Sequence, residues 1–324
     1  MKPAALLHVG LAKCASTFLG DQALKAQQRG VASALVWRPF DLLINRAFAE
    51  LGGTVVAFPD SPPLPVTIPT DRPLIATNEC LTGHFPQPLR LVSHPIYTGD
   101  TLKALQRRVA ELLRAMSVEA LSPFDVTVLL IVRSPQRWLH SLYRNLVVMG
   151  VAESAEIFFD RFGGVVVQWA DVDYLVQLYA ELFGKERVRI LPVEMLRDDT
   201  ATFFARVNEM AGAQVLLDNE PRNVGLSDGA SERLRALWGE IDRIAPPQPS
   251  WSNRTVRFKQ ETWEFLHNAV LNDESAVKRA NEVWRDDRVI YEMPRALVET
   301  MQTHMTALRH IEGFERYREE YFSG

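Results

Sequence analysis

Residues 10–17 read Gly-Leu-Ala-Lys-Cys-Ala-Ser-Thr, between a mainly apolar run at 4–9 and a helical pattern over 18–28. A strand-length run, a tight loop and a helix in that order aim free backbone N–H groups and the positive end of the helix at one spot, where an anionic phosphate would sit. Lys13 adds a full positive charge there, and Ser16 and Thr17 offer hydroxyl and amide donors to the same oxygens. The nucleotide-triphosphatase loop places glycine directly before its lysine and a hydroxyl directly after it. Here the lysine comes early and Cys14 and Ala15 precede the hydroxyl pair, so that pattern is not met in detail. Alone, the segment also fits an ordinary helix capped by Ser16 with a surface lysine beside it.

A second junction carries complementary chemistry. Residues 126–132, VTVLLIV, are almost continuously apolar and β-branched, as a central parallel strand buried on both faces requires. The run ends in Arg133, where a magnesium-using nucleotide hydrolase carries an aspartate. A guanidinium suits a phosphate and cannot hold a metal. Ser134 and Pro135 form a good helix start, as N-cap and first helical residue. Ser141 then falls about two turns along that helix, within reach of an anion shared with Arg133. Two strand–helix junctions thus supply two anion sites, which suits a nucleotide phosphorylated at both ends.

These residues resemble the sulfotransferases that use 3′-phosphoadenosine-5′-phosphosulfate (PAPS). The segment LLHVGLAKCASTFL is similar to that family's 5′-phosphosulfate loop, and IVRSPQRWLHSLYRNL to its 3′-phosphate motif, with arginine and serine spaced as the family has them. RVRILPVEMLRDD resembles a later strand-and-acidic-turn signature, and PRNVGLS a closing loop of bacterial members; the matches run in order from residue 6 to 227. The resemblance implies sulfuryl transfer to a hydroxyl or amine by in-line displacement, with adenosine 3′,5′-bisphosphate (PAP) as product. It implies Lys13 on the bridging oxygen and 5′-phosphate, and Ser16 and Thr17, with Cys14 and Ala15, around the 5′-phosphosulfate. Arg133 and Ser141 would hold the 3′-phosphate, and Asn223 in the closing loop would complete the nucleotide site. Many members have glycine where Ala15 stands, and a methyl group there restricts the loop backbone. The acceptor class implied is a small molecule, glycan or lipid.

Such a transfer needs a base for the acceptor's proton. Glu79 follows the short strand 74–77 and emerges at the carboxyl edge of the sheet, where ligands bind in open α/β folds; PLIATNE resembles the strand-to-glutamate segment of some bacterial and carbohydrate-modifying members. His84 competes with it, because GHFP resembles the histidine-bearing turn of the cytosolic branch and an unperturbed imidazole titrates near neutrality. His8 reads as a core or wall residue, and His94, His140, His267, His304 and His310 have no partner at metal-ligand spacing, so no metal site is expected. Arg254, Arg257 and Lys259 form a basic cluster that either touches phosphate or an acidic acceptor or is a solvated face. Trp138, Tyr143, Phe158, Phe159 and Trp169 fit the core or an acceptor pocket.

The elements that must position these groups alternate. Strands are predicted at 4–9, 31–37, 74–77, 126–132 and 188–192, and helices at 18–28, 40–51, 101–116, 136–149, 155–162, 172–183 and 200–211. That is the order of a doubly wound parallel sheet flanked by helices, like that of the P-loop nucleotide hydrolases. Beyond Asn223 only helices are predicted, at 230–244, 260–271, 274–284 and 294–311, so the reading is an α/β nucleotide-binding core over 1–227 with a helical extension over 228–324. The chain has 324 residues, enough for one large α/β domain; 47% hydrophobic and 23% charged residues exclude a disordered, collagen-like or coiled-coil protein. Thirty-six basic against forty acidic side chains leave −4, so bulk charge favours neither nucleic acid nor an anionic membrane, and any anion must be captured locally. Cys14 and Cys80 read as reduced thiols, which suits the cytoplasm. Neither a signal-peptide core nor a stretch approaching about 18 apolar residues is present, so no membrane span is expected.

Overall fold

A computed structural model describes residues 2–36, 38–51, 68–82, 99–216, 226–244, 273–285 and 291–322. Five strands, β1 Ala4–His8, β2 Ser33–Val36, β3 Leu74–Thr77, β4 Asp125–Val132 and β5 Val188–Pro192, form one sheet in the order β2-β3-β1-β4-β5. Every pairing is parallel. Val128, Leu129, Leu130 and Ile131 are buried in succession, as a strand covered on both faces must be.

The connecting helices are α1 Ser16–Gln28, α2 Arg38–Glu50, α3 Gly99–Glu119, α4 Pro135–Val148, α5 Ala155–Trp169, α6 Val172–Phe183, α7 Glu194–Asp198 and α8 Thr200–Ala211. After them come α9 Asp228–Ile244, α10 Glu274–Val283, α11 Arg295–Thr303 and α12 Arg318–Phe322. From β1 the chain moves across β3 to β2, whereas from β3 it moves across β1 to β4 and on to β5. Right-handed crossovers in opposite lateral directions put their helices on opposite faces and open a crevice outside the carboxyl ends of the strands where the direction reverses. Accordingly α1 packs on β2 and β3 and stacks Phe18 on Phe204 of α8, while α3 packs on both α2 and α6. The crevice falls at β1 and β4, the strands that carry the two candidate loops.

Helices α9 and α11 pack on α4, and α11 also on α5. No described helix is long and apolar enough to cross a membrane.

Strands β3 and β5 and helices α6 and α8 coincide with their predicted spans, because their apolar periods are uninterrupted. Three departures are found. Helix α5 continues to Trp169 through Gly163 and Gly164, where the reading stopped at 162. Gly163 sits close against α11, since a Cβ there would lie 2.9 Å from Leu297 Cδ1. The helix predicted over 294–311 is broken, with α11 ending at Thr303 and a 3₁₀ turn at Thr306–His310. Asp173 causes the break by taking the backbone N–H groups of Thr306 and Ala307, at 2.9 and 2.8 Å. Ser134 precedes α4 as expected, with Pro135 in its first turn, but its side chain makes no capping bond. The helix predicted over 260–271 lies outside the described residues.

Leu129 sits fully buried at the middle of the sheet. Leu129→Ala should cost about 2–5 kcal/mol in urea unfolding with an unchanged denaturant slope, because the surrounding strands cannot collapse into the space left.

Candidate functional site

The first loop leaves β1 beneath two close contacts. His8 is fully buried and shares a hydrogen bond of 2.8 Å between its Nδ1 and Thr77 Oγ1, across the β1–β3 pairing. Its Nε2 has no partner, and a Cβ on Gly10 would lie 2.4 Å from it, so only glycine lets the chain turn there. Burial without a charged partner holds the His8 pKa down at about 3, which keeps the ring neutral.

The loop then takes two left-handed residues, Lys13 at φ 66° and Ala15 at φ 63°. Each costs about 1–2 kcal/mol for a residue with a Cβ, and such residues turn N–H groups toward a common concavity that suits an anion. Ala15, not Ser16, is the N-cap of α1; no side chain caps that helix and its first turn has no acidic residue. Cys14 is buried and its N–H donates to Leu11 O at 3.2 Å, so it shapes the turn from within.

Two bonds from α4 fix this loop. Trp138 Nε1 donates to Ala12 O at 2.9 Å, with the indole packed on Trp169 at 5.5 Å. Lys13 Nζ donates to Asn145 Oδ1 at 3.2 Å. Asn145 is one helical turn beyond Ser141 on the same face, so the loop lysine and the second candidate site are joined by a single helix.

Arg133 and Ser141 line one cavity of about 590 Å³, together with Arg137, His140 and Arg144 of α4, Glu194 and Arg197 of α7, and Tyr291 and Met293. Arg137, Ser141 and Arg144 follow the three-to-four-residue spacing of one helix face. Arg144 lies 3.6 Å from Asp228, and His140 Nε2 2.9 Å from the same carboxylate. Burial lowers the Arg144 pKa against the attraction of Asp228. Burial also pushes Asp228 up, but the His140 hydrogen bond and the nearby charges outweigh it, and its pKa falls below the usual carboxylate range. Buried Glu194 accepts the Ser134 N–H at 3.0 Å through Oε1 and the Tyr321 hydroxyl at 2.7 Å through Oε2. It therefore holds the start of α4, beside Arg133, against the end of β5. The Tyr321 phenol is pushed far above its ordinary value by burial and by that carboxylate.

Glu79 opens a 3₁₀ turn, Glu79–Thr82, directly after β3 at the carboxyl edge of the sheet. Its side chain, His84, Asn223, Arg254, Arg257 and Lys259 lie outside the described residues. Sequence reasoning did not single out Arg137, Arg144, Glu194, Arg197 or Asn145. The basic stripe on α4 had a readable signal in its helical spacing; Glu194 stood inside a quoted segment without a role of its own. The five aromatic residues assigned to core or pocket are all buried, and Phe159 also faces a second cavity of about 700 Å³ with Lys103, Leu297 and His304. Consecutive residues Met293 and Pro294 separate the two cavities, each lining one of them. Among the described residues no group of histidine, cysteine and carboxylate side chains could hold a metal ion.

No protein-family model matches the chain, and no curated protein matches it. Among solved structures it is similar to the crystal structure of a sulfotransferase from Alicyclobacillus acidocaldarius, at 14% identity over 76% of this chain and 92% of the other, with a TM-score of 0.40.

Two outcomes are expected from the loop. Since His8 is about 3 folded and 6.5 unfolded, the unfolded state binds the extra proton between those values, and stability falls as pH drops from about 6.5 toward 3. His8→Gln keeps a partner for Thr77 and should flatten that limb of a stability–pH profile followed by chemical denaturation. Ala15→Gly should raise stability by about 0.5–1 kcal/mol in thermal unfolding, since it removes the left-handed penalty.

Proposed function

We propose that this protein is a sulfotransferase that moves a sulfuryl group from PAPS to a hydroxyl or amine acceptor. The observation that carries the reading is the joining of the two candidate anion-binding segments. Arg133 and Ser141 share a cavity, and one turn beyond Ser141 on α4 the Asn145 amide holds the Lys13 ammonium at 3.2 Å. A turn of helix rises about 5.4 Å, a span that one adenosine carrying phosphate at its 3′ and 5′ positions covers. Arg133 is also the one arginine of the cavity with no carboxylate partner among the described residues, so its charge is open to a phosphate.

In this reading Arg133 and Ser141 hold the 3′-phosphate. The left-handed loop and the uncapped start of α1, with Ser16 and Thr17, receive the 5′-phosphosulfate, and Asn223 contributes from the closing loop. The acceptor oxygen or nitrogen attacks sulfur in line, the bond from sulfur to the bridging oxygen breaks, and its electron pair leaves on the 5′-phosphate of PAP. Lys13 stabilises that charge. The acceptor's proton passes to Glu79, at the edge where β3 ends, with His84 as the competing base. Arginine at the end of β4 supplies phosphate recognition and offers no ligand to magnesium. The acceptor is a small molecule or the hydroxyl or amine of a glycan or lipid.

PAP without magnesium should raise the melting temperature, by an amount equivalent to about 2.7 kcal/mol at a hundred times its Kd, and ATP with magnesium should not. Arg133→Gln should abolish the PAP shift. Lys13→Ala should lower kcat by at least about 10²-fold with labelled PAPS. Stabilisation by ATP–magnesium and none by PAP would replace this reading with that of a kinase.

A further inference from the structure

We propose that Glu320 determines the specificity of the anion cavity: by neutralising Arg137 it restricts the cavity to a single phosphoryl group and turns away a diphosphate. The inference deepens the donor reading and rests on it for the identity of the phosphate. Space does not impose the limit, because about 590 Å³ lies in the range that takes a whole small-molecule ligand. Charge does.

Three of the four guanidinium groups in the cavity are already answered from within the protein. Arg144 faces Asp228 at 3.6 Å. Arg197 holds Asp198 through Nη2 at 2.6 Å and also reaches Glu320 at 3.2 Å. Arg137 has one described carboxylate, Glu320, with Nε 3.0 Å from Oε2 outside hydrogen-bond alignment. Only Arg133 is left uncompensated among the described residues, and with Ser141 it meets one phosphate.

Glu320 is not on a loose tail. The next residue, Tyr321, is fully buried and its hydroxyl bonds Glu194 at 2.7 Å and contacts Val132 O at 3.1 Å. That anchor fixes the carboxylate against Arg137 and Arg197, two of the residues that line the cavity. A diphosphate needs a second guanidinium within its span. Arg137 stands one turn before Ser141 on the same face of α4, in the place to supply it, and Glu320 withholds it. Removing the charge of Glu320 frees Arg137 alone, because Arg197 keeps Asp198 and Arg144 keeps Asp228.

Titration calorimetry with inorganic pyrophosphate and with PAP, on the wild type, Glu320→Gln and the Arg137→Gln/Glu320→Gln double variant, tests this. Glu320 is about one-third exposed, at 31%, so Glu320→Gln should fold; Glu320→Ser is the second variant. Arg137 is itself half-exposed, so Glu320→Gln should tighten pyrophosphate by about fivefold, the effect of releasing a solvent-screened pair, and PAP by less than about twofold. Adding Arg137→Gln should return pyrophosphate to the wild-type value. Equal pyrophosphate affinity in wild type and Glu320→Gln, an equal gain for both ligands, or a gain that survives loss of Arg137 would each overturn the proposal. If PAP binds none of the proteins, the donor reading falls while the pyrophosphate comparison still decides the role of Glu320.

Discussion

Side-by-side parallel pairing of β1 and β4 is the constraint from which the candidate site follows. Parallel strands exit on the same edge, so the loop after His8 and the residue after Val132 must open next to each other. The reversal of winding at these strands sends their helices away on opposite sides and leaves a crevice between. Helix α4 then spans the gap, holding the first loop by Trp138 and Asn145 and lining the cavity with Ser141 and three basic side chains. Any ligand bound by both loops is read by one rigid helix.

Electrostatic balance is the second theme. Gathering four arginines at one place is costly in the absence of an anion, and the fold offsets the repulsion with Glu194, Asp198, Asp228 and Glu320. Glu194 is the most demanding member, a buried carboxylate held by two neutral donors. Burying it is tolerable only because both oxygens are hydrogen-bonded. Its position couples the end of β5, the start of α4 and helix α12, so the cavity wall and α12 form one packed unit.

Much of the architecture could be read along the chain. The run VTVLLIV announced a buried central strand, Pro135 marked a helix start, and the periods over 172–183 and 200–211 ended where the helices end. Local signals were misleading where a distant contact overrode them. Gly163 and Gly164 look like a stop, yet the helix runs through both, with Gly163 set against Leu297 of α11. Residues 294–311 have a helical period, yet the Asp173 carboxylate captures two backbone donors and breaks it. Ala15 carried a readable warning, since a position that favours glycine holds an alanine at positive φ.

The placement of Lys13, Arg133 and Ser141 was legible because each sits a few residues from a strand end or helix start, and short-range spacing encodes that geometry. The charge state of the cavity was not legible. It depends on which carboxylate meets which arginine and on what holds the buried Glu194, and those partners lie far apart: 123 residues separate Arg197 from Glu320, and 127 separate Glu194 from Tyr321. Periodicity reports which face of an element is buried, whereas an ion pair or a buried hydrogen bond between remote residues exists only once packing has brought their elements together. The chain alone therefore specified the strands, the loops and the cations, and folding decided which of the cavity's arginines met a carboxylate.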